Sequence, residues 1–349
     1  MTNQYLKLSP DIDNLLKTLR NQFAGYIPLV ELGIHPLIKE KLLSKKIVDL
    51  NDEVEFWYKA GYDYVKLQPK ADFNPMQSGS DKNYSYNDDG TVFRKWASEN
   101  KGVITNVDEF EQYQFPSTSD FNYYNFEKIK THLLNGMGVI GQYGDIFTMT
   151  WEMMGFESFS FALFENEQLV IELNNKLGNL VLDMFKNFVE MDVVDAIWYS
   201  DDIAYTNGLL VSPDVLDKYF FPWLKKIGDL AKAHNKPLIY HSDGILYDVF
   251  DKIIDCGVNA IHPIEPKAMD IGDVYKRYGN KLCLIGNIDV DLLSRGSKDD
   301  VRKNILDNIE KVGYNSGYCV GSGNSIPEYV NFENYITMIE TVKEFNQNL

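Results

Sequence analysis

Short runs of apolar, β-branched and aromatic residues recur along the chain, and most are followed by a stretch with the hydrophobic period of a helix. This alternation is typical of βα units. Helical segments at 213–234, 245–255 and 298–312 separate the later runs. Eight runs are predicted to be strands: residues 27–31, 64–68, 139–143, 196–200, 237–241, 260–264, 282–286 and 317–321.

Eight parallel strands with helices between them favour a closed (β/α)8 TIM barrel, because a doubly wound sheet usually has roughly five or six strands. We therefore predict an α/β protein with a single barrel domain over residues 1–349. Two helix boundaries agree with this: Ser212 before Pro213 suits a helix start, and Gly257 suits the left-handed position after a helix end.

Residues 70–122, between the second and third predicted strands, are polar and interrupt the pattern. They contain Asn-Asp-Asp-Gly at 87–90, a hairpin turn signal, and a loop of this length is seldom without structure of its own. We expect an inserted β-hairpin, with strands at 91–96 and 102–106, that covers one barrel mouth as a lid. A plain surface insertion is the alternative.

Charge and cysteine content exclude several classes of function. The 34 Lys and Arg against 51 Asp and Glu leave a net charge of −17, which disfavours binding to nucleic acid or to an anionic membrane surface. Cys256, Cys283 and Cys319 are too widely spaced for a CxxC metal site and too few for a disulfide framework. No signal peptide or membrane span is recognisable, so we expect a cytoplasmic protein.

Polar residues follow almost every predicted strand, and the carboxyl ends of barrel strands are where barrel enzymes place their active sites. Acidic side chains dominate this set. Its members are Glu31, Asp145, Asp201, Asp202, His241, Ser242, Asp243, Glu265, Asn287, Asp289, Ser322 and Asn324.

His241 and Asp243 are separated by one residue, so on a continuing strand both side chains leave on the same face. Imidazole nitrogen and carboxylate oxygen are ligands of zinc and of other divalent ions, and Glu265 from the adjacent strand would complete three protein ligands. A histidine held by a carboxylate in a buried hydrogen-bond network is the alternative interpretation.

Asp201 and Asp202 are adjacent at the end of the fourth predicted strand, so their side chains point to opposite faces and at most one enters the barrel mouth. That carboxylate is a candidate general acid or base if burial raises its pKa. A helix cap or loop carboxylate is the alternative.

Several motifs, strongest after residue 195, resemble the uroporphyrinogen decarboxylase superfamily, whose members are (β/α)8 barrels. They are Asp201-Asp202-Ile203-Ala204, Leu210-Val211-Ser212-Pro213, His241-Ser242-Asp243-Gly244, Pro263-Ile264-Glu265-Pro266, Gly286-Asn287-Ile288-Asp289 and Gly321-Ser322-Gly323-Asn324. True uroporphyrinogen decarboxylases carry an arginine-rich motif near the first strand, and this chain has Ile-Pro-Leu-Val-Glu-Leu-Gly at 27–33 instead.

The chain is more similar to the other branch, the zinc-dependent methyltransferases that work with a corrinoid protein. In the coenzyme M enzymes of that branch zinc is held by His-x-Cys and a later Cys. The matching positions here are His241, Asp243 and Ser322, so only the histidine is retained. The resemblance implies Zn²⁺ and a corrinoid (cob(I)alamin and methylcobalamin, on a partner protein) as cofactors. Oxygen ligands in place of thiolates would leave a harder, more Lewis-acidic metal.

On this interpretation the protein moves a methyl group between a small O-methyl substrate, such as an aryl methyl ether, and a corrinoid. The metal ligands are His241, Asp243 and Glu265. The resemblance selects Asp202 as the acid that enters the mouth. The catalytic residues are Asp202, Asn287 and Asp289, and the substrate contacts are Glu31, Tyr199, Ser322 and Asn324.

Two other functions remain open at this point: a metal-free decarboxylase of another small acid, and a non-catalytic binding barrel that has lost its metal site. The resemblance also implies a corrinoid-protein interface on residues 70–122 and the rim, and a homodimer, which is common in the superfamily.

Overall fold

The computed structural model describes residues 9–23, 25–71, 84–86, 92–94, 102–314 and 316–349. Helices and strands alternate along most of this length. The helices are α1 (Ile12–Leu19), α2 (Pro36–Leu43), α3 (Leu50–Ala60), α4 (Val107–Gln112), α5 (Tyr124–Ile129), α6 (Ile146–Met154), α7 (Phe156–Glu165), α8 (Glu167–Glu190), α9 (Pro213–Tyr219), α10 (Phe221–Ala233), α11 (Phe250–Asp255), α12 (Ile271–Tyr278), α13 (Val290–Arg295), α14 (Lys298–Val312) and α15 (Phe332–Gln347), with a 3-10 turn at Thr118–Asp120.

Seven strands form one parallel sheet, and two further pairs of short strands are antiparallel. The sheet contains β1 (Tyr64–Leu67), β4 (Gly138–Gly144), β5 (Ala196–Ser200), β8 (Leu238–His241), β9 (Ala260–His262), β10 (Cys283–Ile285) and β11 (Tyr318–Cys319), in that spatial order. The antiparallel pairs are β2 (Tyr84–Tyr86) with β3 (Val92–Arg94), and β6 (Ala204–Tyr205) with β7 (Gly208–Leu209). The predicted α/β class with parallel strands in sequence order is confirmed.

The sheet curls toward a barrel, but the first predicted strand, 27–31, is not a regular strand. It makes only a parallel bridge from Leu29 to Val320 next to β11. Side chains occupy its other backbone groups: Asn346 bonds both the N–H and the carbonyl of Ile27, and the Tyr64 hydroxyl bonds the N–H and carbonyl of Glu31. Because those groups are already satisfied, the segment does not pair with β1.

The region between β1 and β4 differs in detail from the predicted hairpin. Residues 102–106 form no strand, so that part of the prediction is wrong. The N–H groups of Val103 and Ile104 instead bond the Met153 carbonyl near the end of α6, and the Asn106 side chain caps α4. Val92–Arg94 pairs with the upstream Tyr84–Tyr86 rather than with a downstream strand, and the turn signal at 87–90 lies outside the described residues.

Helix boundaries follow the local chemistry. The predicted helix 213–234 is two helices, α9 and α10, which meet at Phe220; Pro222 occupies the first turn of α10 and cannot donate the hydrogen bond that would continue α9. The segment 245–255 is helical only from Phe250 onward. Lys298–Val312 forms as predicted, and Gly257 follows α11 with a φ of +91°.

The long helix α8 buries one face against the sheet and against α6 and α10. Gly178 allows the close approach of α10, since a Cβ there would lie 2.3 Å from the Trp223 ring. One turn earlier, the buried Asn174 side chain donates to Thr150 Oγ1 and to the Tyr219 carbonyl and accepts from Trp223 Nε1. Although α8 has 24 residues, neither it nor any other helix in the described ranges is long and apolar enough to cross a membrane.

Replacing Asn174 with Ala should lower the free energy of unfolding by about 2–4 kcal/mol, because the Trp223 indole N–H and the Tyr219 carbonyl would remain buried without partners. Chemical denaturation measures this. Gln168→Ala, on the exposed side of α8, is the matched control and should change stability by less than about 0.5 kcal/mol. Equal effects of the two substitutions on stability would show that the hydrogen bonds of Asn174 do not stabilise the fold.

Candidate functional site

The register of the sheet decides which side chains face the barrel interior. Residues paired across parallel strands point to the same side, and the pairs Trp198 with Gln142, Ser200 with His241, and His241 with His262 therefore share one face. The alternate residues face the helices: the Tyr199 ring lies edge-on to Phe185 of α8, and their centroids are 5.8 Å apart. The interior thus contains a row of polar side chains.

At the carboxyl end of this row, Asp202, His241 and Asp243 converge. One ligand atom from each lies within 4.8 Å of the other two. His241 Nε2 is 3.8 Å from Asp202 Oδ1 and 3.9 Å from Asp243 Oδ1. Among the described residues, Asp243 Oδ1 is buried with no hydrogen-bond partner, while its Oδ2 accepts a bond of 2.5 Å from Asn324 Nδ2.

The two consecutive aspartates after β5 have separate roles. Asp201 is fully buried and accepts from the Phe147 and Thr148 N–H groups at the start of α6, and from the Tyr199 hydroxyl. Asp202 is on the other side and accepts from the Asp243 N–H. The expectation that Asp202 is the member of the pair that enters the mouth agrees with this geometry.

The loop after β8 holds Asp243 in place through Gly244, which has a φ of +89°. A Cβ at this position would lie 2.4 Å from the backbone nitrogen of Tyr205 in β6, so the close approach of the two loops requires glycine. The Gly244 N–H donates to Glu265 Oε2, and the Thr206 hydroxyl donates to Glu265 Oε1.

Glu265 therefore supports the loop rather than joining the cluster, and the structure has Asp202 in the position that the sequence assigned to Glu265. Asp202 follows β5 and Glu265 follows β9, and both strands adjoin the strand of His241. The Asp202 carboxylate turns toward His241 Nε2, at 3.8 Å, whereas the Glu265 carboxylate turns toward the loop. Glu265 remains close enough for its charge to act on Asp243.

Burial and like charges shape the protonation of the cluster. Burial, followed by repulsion from Asp202 and Glu265, raises the pKa of Asp243 to about 8. Burial lowers the pKa of His241, and the nearby Asp202 only partly opposes this. In the absence of a cation, Asp243 thus holds a proton at neutral pH and the imidazole is neutral.

Three other predicted site residues, Glu31, Asn287 and Tyr199, do not join the cluster. Glu31 is fully buried and accepts from the Ser322 N–H and hydroxyl, each at 2.7 Å. Asn287, with a φ of +72°, donates to the carbonyls of Ile264 and Met269, so its amide stabilises a loop. Tyr199 faces the helices, and the structure does not bring it to the predicted substrate position.

A cavity of about 620 Å³ opens beside the cluster. Asp243, Glu265, Asp289 and Asn324 line it, together with Gly33, Ile34, His35 and residues of the loop after β11. Asp289 also caps α13 by accepting from the Asp291 N–H. Of the predicted site residues, Asp202, His241, Asp243, Asn324, Glu265 and Asp289 are thus close to one another or to this cavity.

The sequence argument missed three interior residues: Lys66, Gln142 and Trp198. His262 also lies in the interior, and its Nδ1 is 2.7 Å from His241 Nδ1. The signal that would have found Lys66 and Gln142 is a polar residue at an inward position of an otherwise apolar strand.

Comparison with known proteins agrees with the fold. The profile of the family described as uroporphyrinogen decarboxylase matches residues 87–345, which is most of the chain. The chain belongs to the uroporphyrinogen decarboxylase family. The superfamily predicted from the sequence motifs is therefore confirmed.

Individual relatives are distant. A uroporphyrinogen decarboxylase of Trichodesmium erythraeum is 28% identical over 141 residues, which are 40% of this chain and 38% of that protein. A methyltransferase from Methanosarcina mazei superposes with a TM-score of 0.68 at 15% identity, over 95% of this chain and 98% of that one. A sugar phosphate isomerase/epimerase from Parabacteroides distasonis reaches a TM-score of only 0.40 at 11% identity, over 90% and 93% of the two chains.

The sequence predicts Glu265 as the third residue of the cluster, whereas the structure has Asp202 there. The two assignments predict different effects on metal binding. Asp202→Asn should weaken binding of Zn²⁺ by at least about tenfold, because it removes a charged donor from the cluster. Glu265→Gln should weaken it by a smaller factor than Asp202→Asn does, since the amide oxygen can still accept one of the two hydrogen bonds from the loops. Competition with a chromogenic chelator gives both affinities. A loss for Glu265→Gln as large as that for Asp202→Asn would show that Glu265 is a ligand.

Glu31 gives a prediction on pH and stability. Burial raises the pKa of Glu31 from 4.5 to about 8, so the folded protein holds a proton that the unfolded chain releases. This contribution to stability is complete below pH 4.5 and is lost as the pH rises to about 8. In chelator-treated protein, Glu31→Gln should show a shallower fall of unfolding free energy across this window, by up to about 1.4 kcal/mol per pH unit. If the plots of unfolding free energy against pH are parallel for the wild type and Glu31→Gln, the raised pKa of Glu31 is refuted.

Proposed function

We propose that this protein is a metal-dependent methyltransferase that moves a methyl group between a small O-methyl substrate and a corrinoid carried by a partner protein. The observation that carries the proposal is the Asp202, His241 and Asp243 cluster at the open end of a barrel of this family. The fold likeness to the Methanosarcina methyltransferase is consistent with it.

The residues fit a divalent ion. Two carboxylates and a neutral imidazole are donors of the kind that zinc accepts, and Asp243 Oδ1 is a buried acceptor without a hydrogen-bond partner in the described part of the chain. Burial and, after it, like-charge repulsion raise the pKa of Asp243, and a bound cation would offset that repulsion. The cluster offers three protein ligands, so a tetrahedral ion would keep its fourth coordination position for a substrate atom on the cavity side.

A divalent ion held there would act as a Lewis acid toward an ether or phenolic oxygen. The chain's own residues prepare the site for it. For His241 Nε2 to offer its lone pair, the proton of the neutral ring must be on Nδ1, which then donates to His262 Nδ1. Asn324 orients Asp243 by donating to Oδ2, so that Oδ1 faces the cluster.

Decarboxylation of a small acid without a metal is the second candidate. It is favoured by the family match itself and by Asp243, whose raised pKa makes it a carboxyl that holds a proton at neutral pH and can donate it. Metal content separates the two functions.

The test is elemental analysis of protein purified without chelator, followed by an assay of methyl transfer. We expect one zinc per chain in the wild type and loss of that zinc in His241→Ala. His234→Ala, which changes an exposed histidine at the end of α10, should retain the metal.

With methoxylated aromatic compounds and cob(I)alamin, the zinc-loaded protein should give the absorbance change of methylcobalamin, and His241→Ala should lose at least about a hundredfold of this rate. A wild type that takes up no zinc even when zinc is added, or equal metal in both histidine variants, would overturn the proposal.

A further inference from the structure

A lysine lies inside the barrel, away from the acidic cluster. Lys66 is on β1 opposite Ile140 of β4, and its Nζ donates to Gln142 Oε1 at 3.3 Å. Gln142 in turn donates to Ser200 Oγ at 3.0 Å, and Ser200 is paired with His241 across β5 and β8. A chain of polar side chains thus connects the ammonium group to the cluster side of the interior.

Lys66 has no carboxylate at ion-pair distance among the described residues. Gln142 accepts one of the three N–H groups of the ammonium, and the same acceptor is shared with Gln68. Burial lowers the pKa of Lys66 to about 7, the neighbouring Lys39 adds to this, and Glu53 only partly opposes it. The amine is half-buried, and its charge is only weakly compensated.

The lysine is one of the residues that line a cavity of about 580 Å³ between β1 and the α2–α3 region. The other charged groups in its wall are accounted for: Lys39 pairs with Glu53 at 2.6 Å, Asp49 caps α3, and Lys70 is exposed to solvent. Trp57, Ile34 and Leu67 supply apolar surface. Lys66 is therefore the half-buried amine of this wall that has no ion-pair partner within the described residues, and a bound carboxylate would favour its charged form.

This cavity adjoins the one beside the cluster, because Gly33 and Ile34 line both. A ligand that bridges the two would have one end at Lys66 and the other at Asp243. One unpaired ammonium matches one negative charge, and a dianion would add repulsion from the acidic mouth.

We propose that Lys66 binds the carboxylate of a small monocarboxylate ligand whose other end lies at the Asp202, His241 and Asp243 cluster. This extends the proposed function by assigning the substrate class and rests on it for the reacting end, but the carboxylate site itself needs neither the metal nor the corrinoid. It also suits the second candidate function, in which the substrate is a small acid.

The test compares binding of benzoate with that of the neutral benzamide and of phenyl phosphate, to chelator-treated protein at neutral pH. Calorimetry gives the affinity, and fluorescence of Trp57 in the cavity wall is a second readout. We expect benzoate to bind at least about tenfold more tightly than benzamide, and also more tightly than phenyl phosphate.

Lys66→Met removes the charge but keeps an apolar chain, and should weaken benzoate binding by roughly tenfold or more while leaving benzamide unchanged. Lys70→Met, which changes an exposed lysine of the same cavity, is the matched control and should change benzoate affinity by less than about twofold. Circular dichroism and thermal unfolding check that both variants are folded, and Lys66→Arg should retain benzoate binding if the Lys66→Met variant proves unstable.

Absence of benzoate binding at millimolar concentration, equal affinity for benzoate and benzamide, or full benzoate affinity in Lys66→Met would each overturn the carboxylate site. Tighter binding of phenyl phosphate than of benzoate would show that the site takes a phosphate and not a carboxylate. Because these measurements use metal-free protein, a failed zinc analysis together with Lys66-dependent benzoate binding would reject the methyltransferase and leave the carboxylate site intact.

Discussion

Two aspartates converge on a buried, neutral imidazole at the mouth of the barrel, and the described residues supply no lysine or arginine at ion-pair distance to balance them. Such an arrangement is unfavourable in a low dielectric unless a proton or a cation is present. Much of the surrounding structure keeps it in place: Asp201 is fixed to the start of α6, Gly244 permits the tight loop after β8, and Asn324 orients Asp243. The chemistry of the protein depends on how this charge is compensated.

The barrel brings these groups together although its first segment is not a regular strand. The bridge from Leu29 to Val320 and the buried bonds between Glu31 and Ser322 join the beginning of the chain to its last sheet strand. The serine is committed to Glu31 and joins the loop after the last strand to the first segment, whereas Asp243 keeps one carboxylate oxygen facing the cluster.

Fold alone does not choose between the chemistries of this family, because the same barrel can place different reactive groups at its strand ends. In this chain two local features bear on the chemistry, the negative cluster around His241 and the amine of Lys66 within the barrel. A metal at the first would favour methyl transfer. A substrate carboxylate at the second is compatible with either transfer or decarboxylation. Occupation of the cluster by a metal, rather than the overall architecture, therefore distinguishes the candidate functions.

The sequence determined the positions of the seven sheet strands, their parallel order, the family and the residues that stand at the strand ends, because all of these depend on local periodicity and on short motifs. The helix Lys298–Val312 and the turn at Gly257 were predictable for the same reason. Tertiary structure decided that Asp202 and not Glu265 joins His241, that Tyr199 faces the helices, and that residues 102–106 bond to α6 instead of forming a strand. It also brought Lys66 into contact with Gln142, 76 residues away in the chain. Distances between side chains on different strands depend on the stagger of the strands and on the curl of the sheet, which the pattern of residues along one strand does not specify.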